Sequence, residues 1–129
     1  MRLGPLWLAL LIVLSTGCAK APVQTGQASW YGPGFRGKPT ASGKRFRPRK
    51  RTAAHKTLPF GTVVKVTRTD SGQSVRVVIN DRGPYAGGRV IDLSRRAARK
   101  IDMIQDGVAP VEIRVVGCRR RYAACNRGS

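Results

Sequence analysis

Between Ala28 and Val116 the apolar residues recur with a period of two, and this alternation restricts the chain to a small β architecture. It runs through Ala28-Ser29-Trp30-Tyr31, Thr62-Val63-Val64-Lys65-Val66-Thr67, Ser74-Val75-Arg76-Val77-Val78-Ile79 and Val111-Glu112-Ile113-Arg114-Val115-Val116. Successive side chains of a strand point to opposite faces, so such segments bury one face and wet the other. Asp70-Ser71-Gly72 supplies turn chemistry between the second and third segments, which predicts a hairpin. One stretch departs from the pattern: Ser94-Arg95-Arg96-Ala97-Ala98-Arg99-Lys100-Ile101 is rich in helix formers and has Ser94 as a capping residue, so a single short helix is expected there. Arg95 and Arg96 sit against the positive end of its dipole, whereas Arg99 and Lys100 suit the negative end. Many short strands with one helix predict a small barrel, because closure disposes of exposed strand edges.

A chain of 129 residues has room for one such domain once its N-terminus is set aside. Arg2 precedes an apolar run from Leu6 to Leu14, followed by Ser15-Thr16-Gly17 and Cys18, the layout of a secretory leader over residues 1–17. The run is too short to cross roughly 30 Å of hydrocarbon as a permanent helix. Leu14-Ser15-Thr16-Gly17-Cys18 resembles the lipobox of bacterial lipoproteins, with Ser15 where a leucine is usual. That resemblance implies acylation of Cys18, and several acyl chains hold a protein on a membrane far more firmly than one. The competing reading is an ordinary leader beside an incidental cysteine. Ala19, in place of an aspartate, points to the outer rather than the inner membrane. Residues 18–25, with Pro22 and small polar residues, then form the lipidated N-terminus and a tether, residues 26–117 the barrel and residues 118–129 a basic tail. With Cys18 the odd one of three cysteines, Cys118 and Cys125 are expected to pair and staple that tail, the alternative being two free thiols.

Lys and Arg number 25 against 6 Asp and Glu, a net charge of +19. Residues 36–51 hold many of these cations and no acid. In a cytoplasmic protein such a cluster would mark nucleic acid. Export argues against that partner and favours the polyanions of the envelope, namely peptidoglycan carboxylates and the phosphates of wall polymers or outer-membrane lipid. A merely solvated basic face is the plainer alternative.

Six acids leave few candidates for proton transfer. Asp81 stands out within Asn80-Asp81-Arg82-Gly83-Pro84, where glycine and proline turn the chain and display side chains at a barrel mouth, although a purely turn-forming role explains the same residues. His55, the one histidine, could orient a carboxylate or a sugar hydroxyl, or simply pack. Trp30 and Tyr31 offer flat faces for pyranose rings, but at strand spacing one of the two should point into the core. Asp92, before the helix, is expected to cap it or to bond backbone.

Taken together, Ala28-Ser29-Trp30-Tyr31-Gly32, Thr40-Ala41-Ser42-Gly43, Thr52-Ala53-Ala54-His55, Leu58-Pro59-Phe60-Gly61-Thr62, Asn80-Asp81-Arg82-Gly83-Pro84 and Ile91-Asp92-Leu93-Ser94 resemble the rare lipoprotein A (RlpA) family, in order and at compatible spacing from about Gly26 to Gly117. The resemblance implies a mainly β fold, a six-stranded double-psi β-barrel with one or two short helices, shared with barwin and expansin domains. It also implies an endolytic peptidoglycan lytic transglycosylase that cuts between N-acetylmuramic acid and N-acetylglucosamine, leaves a 1,6-anhydro end and prefers glycan stripped of stem peptides. Asp81 then matches the catalytic aspartate and His55 the active-site histidine, with Trp30, Tyr31, Lys44 and Arg82 along the glycan groove. No cofactor or metal is called for, and a monomer is expected, held on the membrane by its lipid and facing the periplasm. One position departs from the family: Lys44 stands where a glutamate is usual. An ammonium beside Asp81 would favour the carboxylate over the acid. This departure keeps open a non-catalytic, expansin-like peptidoglycan-binding lipoprotein.

Overall fold

The computed structural model describes residues 23–122. The expected leader, Cys18 and Cys125 lie outside the described residues. Six strands form: β1 (Val23–Trp30), β2 (Thr52–Ala54), β3 (Thr62–Arg68), β4 (Ser74–Asp81), β5 (Arg89–Leu93) and β6 (Val108–Cys118). A 3₁₀ turn covers Pro33–Phe35, and α1 covers Arg95–Lys100.

The strands close into a barrel in the order β1-β5-β2-β4-β3-β6. The pairs β1/β5 and β2/β4 are parallel, and the rest are antiparallel. This is the expected mainly β, double-psi barrel, with one short α-helix. The β3–β4 hairpin forms around the turn at Gly72, whose N–H donates to the carbonyl of Arg68.

The period-two reading explains which side chains fill it. Val64 and Val66 of β3, Val75, Val77 and Ile79 of β4, and Val111 and Ile113 of β6 all point inward. Ile91 and Leu93 join them, and Ala97, Ala98 and Ile101 of the helical segment pack against the same cluster. Burying each large aliphatic side chain contributes about 1.5–3 kcal/mol. Ser94 is the helix cap, its Oγ accepting from the Ala97 N–H at 3.3 Å.

Three features differ from the sequence reading. The barrel begins at Val23 rather than near Gly26, because residues 23–27 pair with residues 110–114 of β6, so the last part of the expected tether is strand. Strands β2 and β5 have no period-two signature. At the C-terminal end, Cys118 still belongs to β6 and is disulfide-bonded.

Gly61 sets the course of the chain beyond β6. It adopts φ +91, and a Cβ there would lie 2.2 Å from Cβ of Tyr122. Only glycine allows this close approach. Its carbonyl also accepts from the Arg119 N–H at 2.8 Å, so residues 119–122 are held against the barrel beside the β2–β3 loop.

Candidate functional site

One row of residues crosses four adjacent strands. Ser29 of β1 is in register with Asp92 of β5, Asp92 with Ala54 of β2, and Ala54 with Asp81 of β4. Two carboxyl groups therefore flank one small alanine, whose buried methyl packs with Tyr31 and Phe46.

Asp81 is half-buried and held from several sides. Its Oδ1 accepts from the backbone N–H of Ala41 at 2.9 Å and of Arg82 at 2.9 Å, and its Oδ2 accepts from the Tyr31 hydroxyl at 2.6 Å. The Ala41 donor explains Thr40-Ala41-Ser42-Gly43: Gly43, at φ +84, donates its N–H to the carbonyl of Thr40, closing a turn that aims the Ala41 N–H at the carboxylate. Tyr31 is buried, with its ring 4.6 Å from that of Phe46 and 5.3 Å from that of Phe35. Burial, then the hydrogen bond and charge of Asp81, then the charge of Asp92, push its hydroxyl well above the usual range. It stays a neutral donor.

His55 is buried but does not orient Asp81 through its ring. Nδ1 accepts from the N–H groups of Thr57 and Leu58, each at 3.1 Å, which assigns the proton to Nε2, 2.8 Å from Oε1 of Gln24. Burial, then the charges of Arg82 and Lys56, hold its imidazole below the ordinary value. The link to Asp81 runs through backbone, His55 N–H to the Asp81 carbonyl at 3.1 Å. The orienting hydrogen bond expected of His55 is thus made by Tyr31, and His55 braces the turn after β2.

Arg82 serves the same turn. Its guanidinium donates to the carbonyls of Leu58 at 2.9 Å and His55 at 3.3 Å and lies 4.1 Å from the centroid of the Phe60 ring. Trp30 and Tyr31 line one cavity of about 460 Å³ together with Phe46 and Pro48. Tyr31 is the more buried of the pair and packs with Phe46 and Ala54 at the mouth, whereas Trp30 is half-buried and packs against the barrel core.

Lys44 does not ion-pair with Asp81: its ammonium lies 4.5 Å from the centroid of the Tyr122 ring, in a second, strongly basic cavity. The ammonium effect anticipated from the sequence thus lacks a direct contact.

Asp92 neither caps α1 nor bonds backbone. It accepts from the Ser29 hydroxyl at 3.0 Å. Burial pushes its carboxyl above the ordinary value, opposed by the Ser29 hydrogen bond and the charge of Arg89 and aided by the charge of Asp81. The arrangement can hold one carboxyl in fixed orientation at the barrel mouth, with a second, raised above its ordinary value by burial, two strands away. Sequence reasoning gave Asp92 other partners and passed over Gln24 and the Ala41 N–H; the Thr40-Ala41-Ser42-Gly43 motif was the one available signal for the last.

Residues 23–113 match the family model described as lytic transglycolase. A Synechocystis protein named probable endolytic peptidoglycan transglycosylase RlpA is 60% identical over 94 residues, covering 73% of this chain and 29% of that protein. The Campylobacter jejuni endolytic peptidoglycan transglycosylase RlpA is 53% identical over 104 residues, covering 81% of this chain and 36% of its own length. Among solved structures, a Streptomyces papain inhibitor superposes with a TM-score of 0.62 at 23% identity, over 77% of this chain and 98% of the inhibitor. An apo expansin from Clavibacter michiganensis superposes with a TM-score of 0.59 at 23% identity, over 74% of this chain and 51% of the expansin. Both structural likenesses speak to the barrel alone.

Proposed function

Because this chain belongs to the lytic transglycolase family, within which it aligns with RlpA proteins, we propose that it is an endolytic peptidoglycan lytic transglycosylase. It cleaves between N-acetylmuramic acid and N-acetylglucosamine, leaves 1,6-anhydro ends and prefers strands without stem peptides. The observation that carries this reading is the Asp81 carboxyl, fixed by the Tyr31 hydroxyl and two backbone N–H groups.

Such a reaction needs one proton carrier. Protonated, Asp81 gives its proton to the glycosidic oxygen, and the bond to the anomeric carbon breaks. As carboxylate it takes the proton of the muramoyl 6-hydroxyl, whose oxygen closes on the anomeric carbon. The second sugar ring leaves with a free hydroxyl, and Asp81 is again protonated. No water attacks, so no second carboxylate must activate one. Tyr31 keeps Asp81 aimed, Trp30 offers an apolar face to a sugar ring, and His55 and Arg82 shape the neighbouring turn. In the cell the domain acts as a monomer facing the periplasm, lipid-anchored through Cys18 and on the outer rather than the inner membrane. The leader-like residues 1–17 support that placement.

The test is product release. Peptide-free glycan incubated with the mature chain should gain 1,6-anhydromuramoyl ends, and Asp81→Asn should slow this by about 10²–10⁴-fold, the usual weight of general acid–base catalysis. Equal absence of product from both proteins over long incubation sinks the activity. Lys44, standing where the family usually has glutamate, favours one second reading, wall binding without cleavage. Lys44→Glu discriminates: a gain in product formation supports the enzyme, whereas sacculus binding with no product from either form supports the binder.

A further inference from the structure

We propose that Tyr85 forms a stacking subsite for a pyranose ring of the glycan, beside the bond that Asp81 acts on; the subsite rests on the peptidoglycan substrate proposed above. Tyr85 lies in the loop between β4 and β5, residues 82–88, four residues beyond Asp81. It is 80% exposed, so it adds next to nothing to the barrel core. Single apolar residues are common on protein surfaces, and exposure alone assigns no role. Here, however, the backbone beneath the ring is fixed. Gly83 and Pro84 are buried, and the Arg82 N–H donates to Oδ1 of Asp81 at 2.9 Å. The far end of the loop is tied as well, the Gly88 carbonyl accepting from the Gln27 N–H of β1 at 3.1 Å.

The ring is folded back along the chain over Gly83. A Cβ on that glycine would lie 3.6 and 3.7 Å from Cε2 and Cδ2 of Tyr85, ordinary van der Waals contact. With one edge seated there and most of the residue open, the faces of the ring are left to solvent. Beyond it, Ala86, Gly87 and Gly88 are exposed and carry nothing larger than a methyl group. A Cβ on Gly87 or Gly88 would meet no heavy atom within 4 Å among the described residues outside its chain neighbours. The loop thus sets one aromatic ring beside open space over a backbone floor, next to the turn that holds Asp81.

A pyranose ring has an apolar side of C–H groups. A tyrosine face covers it at low entropic cost, because only two side-chain torsions need be fixed. The two aromatics that the sequence offered for stacking are less available: Tyr31 is buried and donates to Asp81, and Trp30 packs against the barrel core. Four residues of extended chain span at most about 14 Å, and the Tyr85 ring turns back over Gly83 within that reach. A glycan whose scissile bond meets Asp81 therefore comes to Tyr85 within a few sugar units. The platform touches a ring away from the reacting atoms, so it serves affinity and register rather than proton transfer.

The test uses the full chain with Asp81→Asn, so that affinity for soluble peptide-free glycan is read without turnover. Adding Tyr85→Ala should weaken that affinity by roughly three- to tenfold, the scale of one aromatic contact. Tyr85→Trp should keep it, whereas Tyr85→Leu, apolar but without a flat ring, should bind as weakly as the alanine variant. Val116→Ala removes an exposed apolar side chain from β6, which pairs with neither β4 nor β5, and should leave affinity unchanged. With Asp81 intact, Tyr85→Ala should raise KM for anhydro-end release and leave kcat near that of the wild type, the mark of binding lost equally from ground and transition states. Unchanged affinity in Tyr85→Ala overturns the subsite, as does an equal loss in Val116→Ala. Full affinity in Tyr85→Leu assigns the side chain to general apolar contact and overturns stacking. A fall in kcat with unchanged affinity makes Tyr85 a brace for Asp81 and also sinks the proposal. Binding that depends on Tyr85 without any anhydro product from the wild-type chain would sink the activity alone, and normal product with binding indifferent to Tyr85 the subsite alone.

Discussion

At the turn end of the β3–β4 hairpin, Arg68 donates to the carboxylates of Asp70 and Asp106 at 2.7 and 2.9 Å and to the carbonyl of Asp102 at 2.7 Å. At the other end, where β4 reaches Asn80 and Asp81, the carboxylates of Asp81 and Asp92 accept from neutral donors: a phenol, a serine hydroxyl and backbone N–H groups. The chain carries 25 Lys and Arg, yet neither mouth carboxylate forms an ion pair among the described residues. Ion pairing fixes a carboxylate in its charged form and suits a structural clamp. A group that must give a proton and take one back is better held by dipoles. Two basic residues of the site are directed elsewhere: Lys44 towards Tyr122, and Arg82 towards the carbonyls of His55 and Leu58.

Three substitutions probe this contrast. The largest effect should come from Tyr31→Phe, which removes one neutral donor and keeps a ring between Phe35 and Phe46. Loss of a hydrogen bond to a charged group costs about 1.5–3 kcal/mol, so the rate of anhydro-end release should fall by roughly ten- to a hundredfold. Thermal unfolding should change little, and a large loss of Tm with an unchanged rate per folded molecule would assign Tyr31 to packing. At the other end, Arg68→Gln should do the reverse, lowering Tm while turnover of the folded protein stays as in the wild type. The deficit should narrow in high salt, because part of what is lost is surface ion pairing. The smallest effect is expected of Asp92→Asn. Its carboxyl is pushed up in the folded state by burial, so ionisation opposes folding as pH rises above the ordinary carboxyl value of about 3.9 and through the raised one. The variant should match the wild type in Tm at pH values below both and exceed it at neutral pH. A constant difference across that range would show that charge is not the cause.

Much of the barrel could be read from the sequence because β3, β6 and the first half of β4 bury one face and leave the other more open, although residues 77–80 of β4 are all buried. Strand β2, three residues long, is too short to display a period. In β5 the neighbours Val90 and Ile91 are both apolar, which hides the alternation. Asp81 was legible because glycine and proline mark its turn and because the surrounding motifs resemble a family. The ring partners of His55 were not, since Gln24 is brought in by the pairing of β1 with β6 and the other two donors are main-chain groups with no side-chain signature. The unexpected position of Asp92 has a similar origin: its Ser29 partner arrives through a parallel pairing between strands far apart in the chain.

That cross-strand row also bears on when the site comes into being. Ser29, Ala54, Asp81 and Asp92 each belong to a different strand, so no contiguous peptide holds the constellation. Contacts this distant along the chain form late and together. An incompletely folded chain therefore lacks the proposed proton-transfer site, which is assembled only when the cylinder shuts.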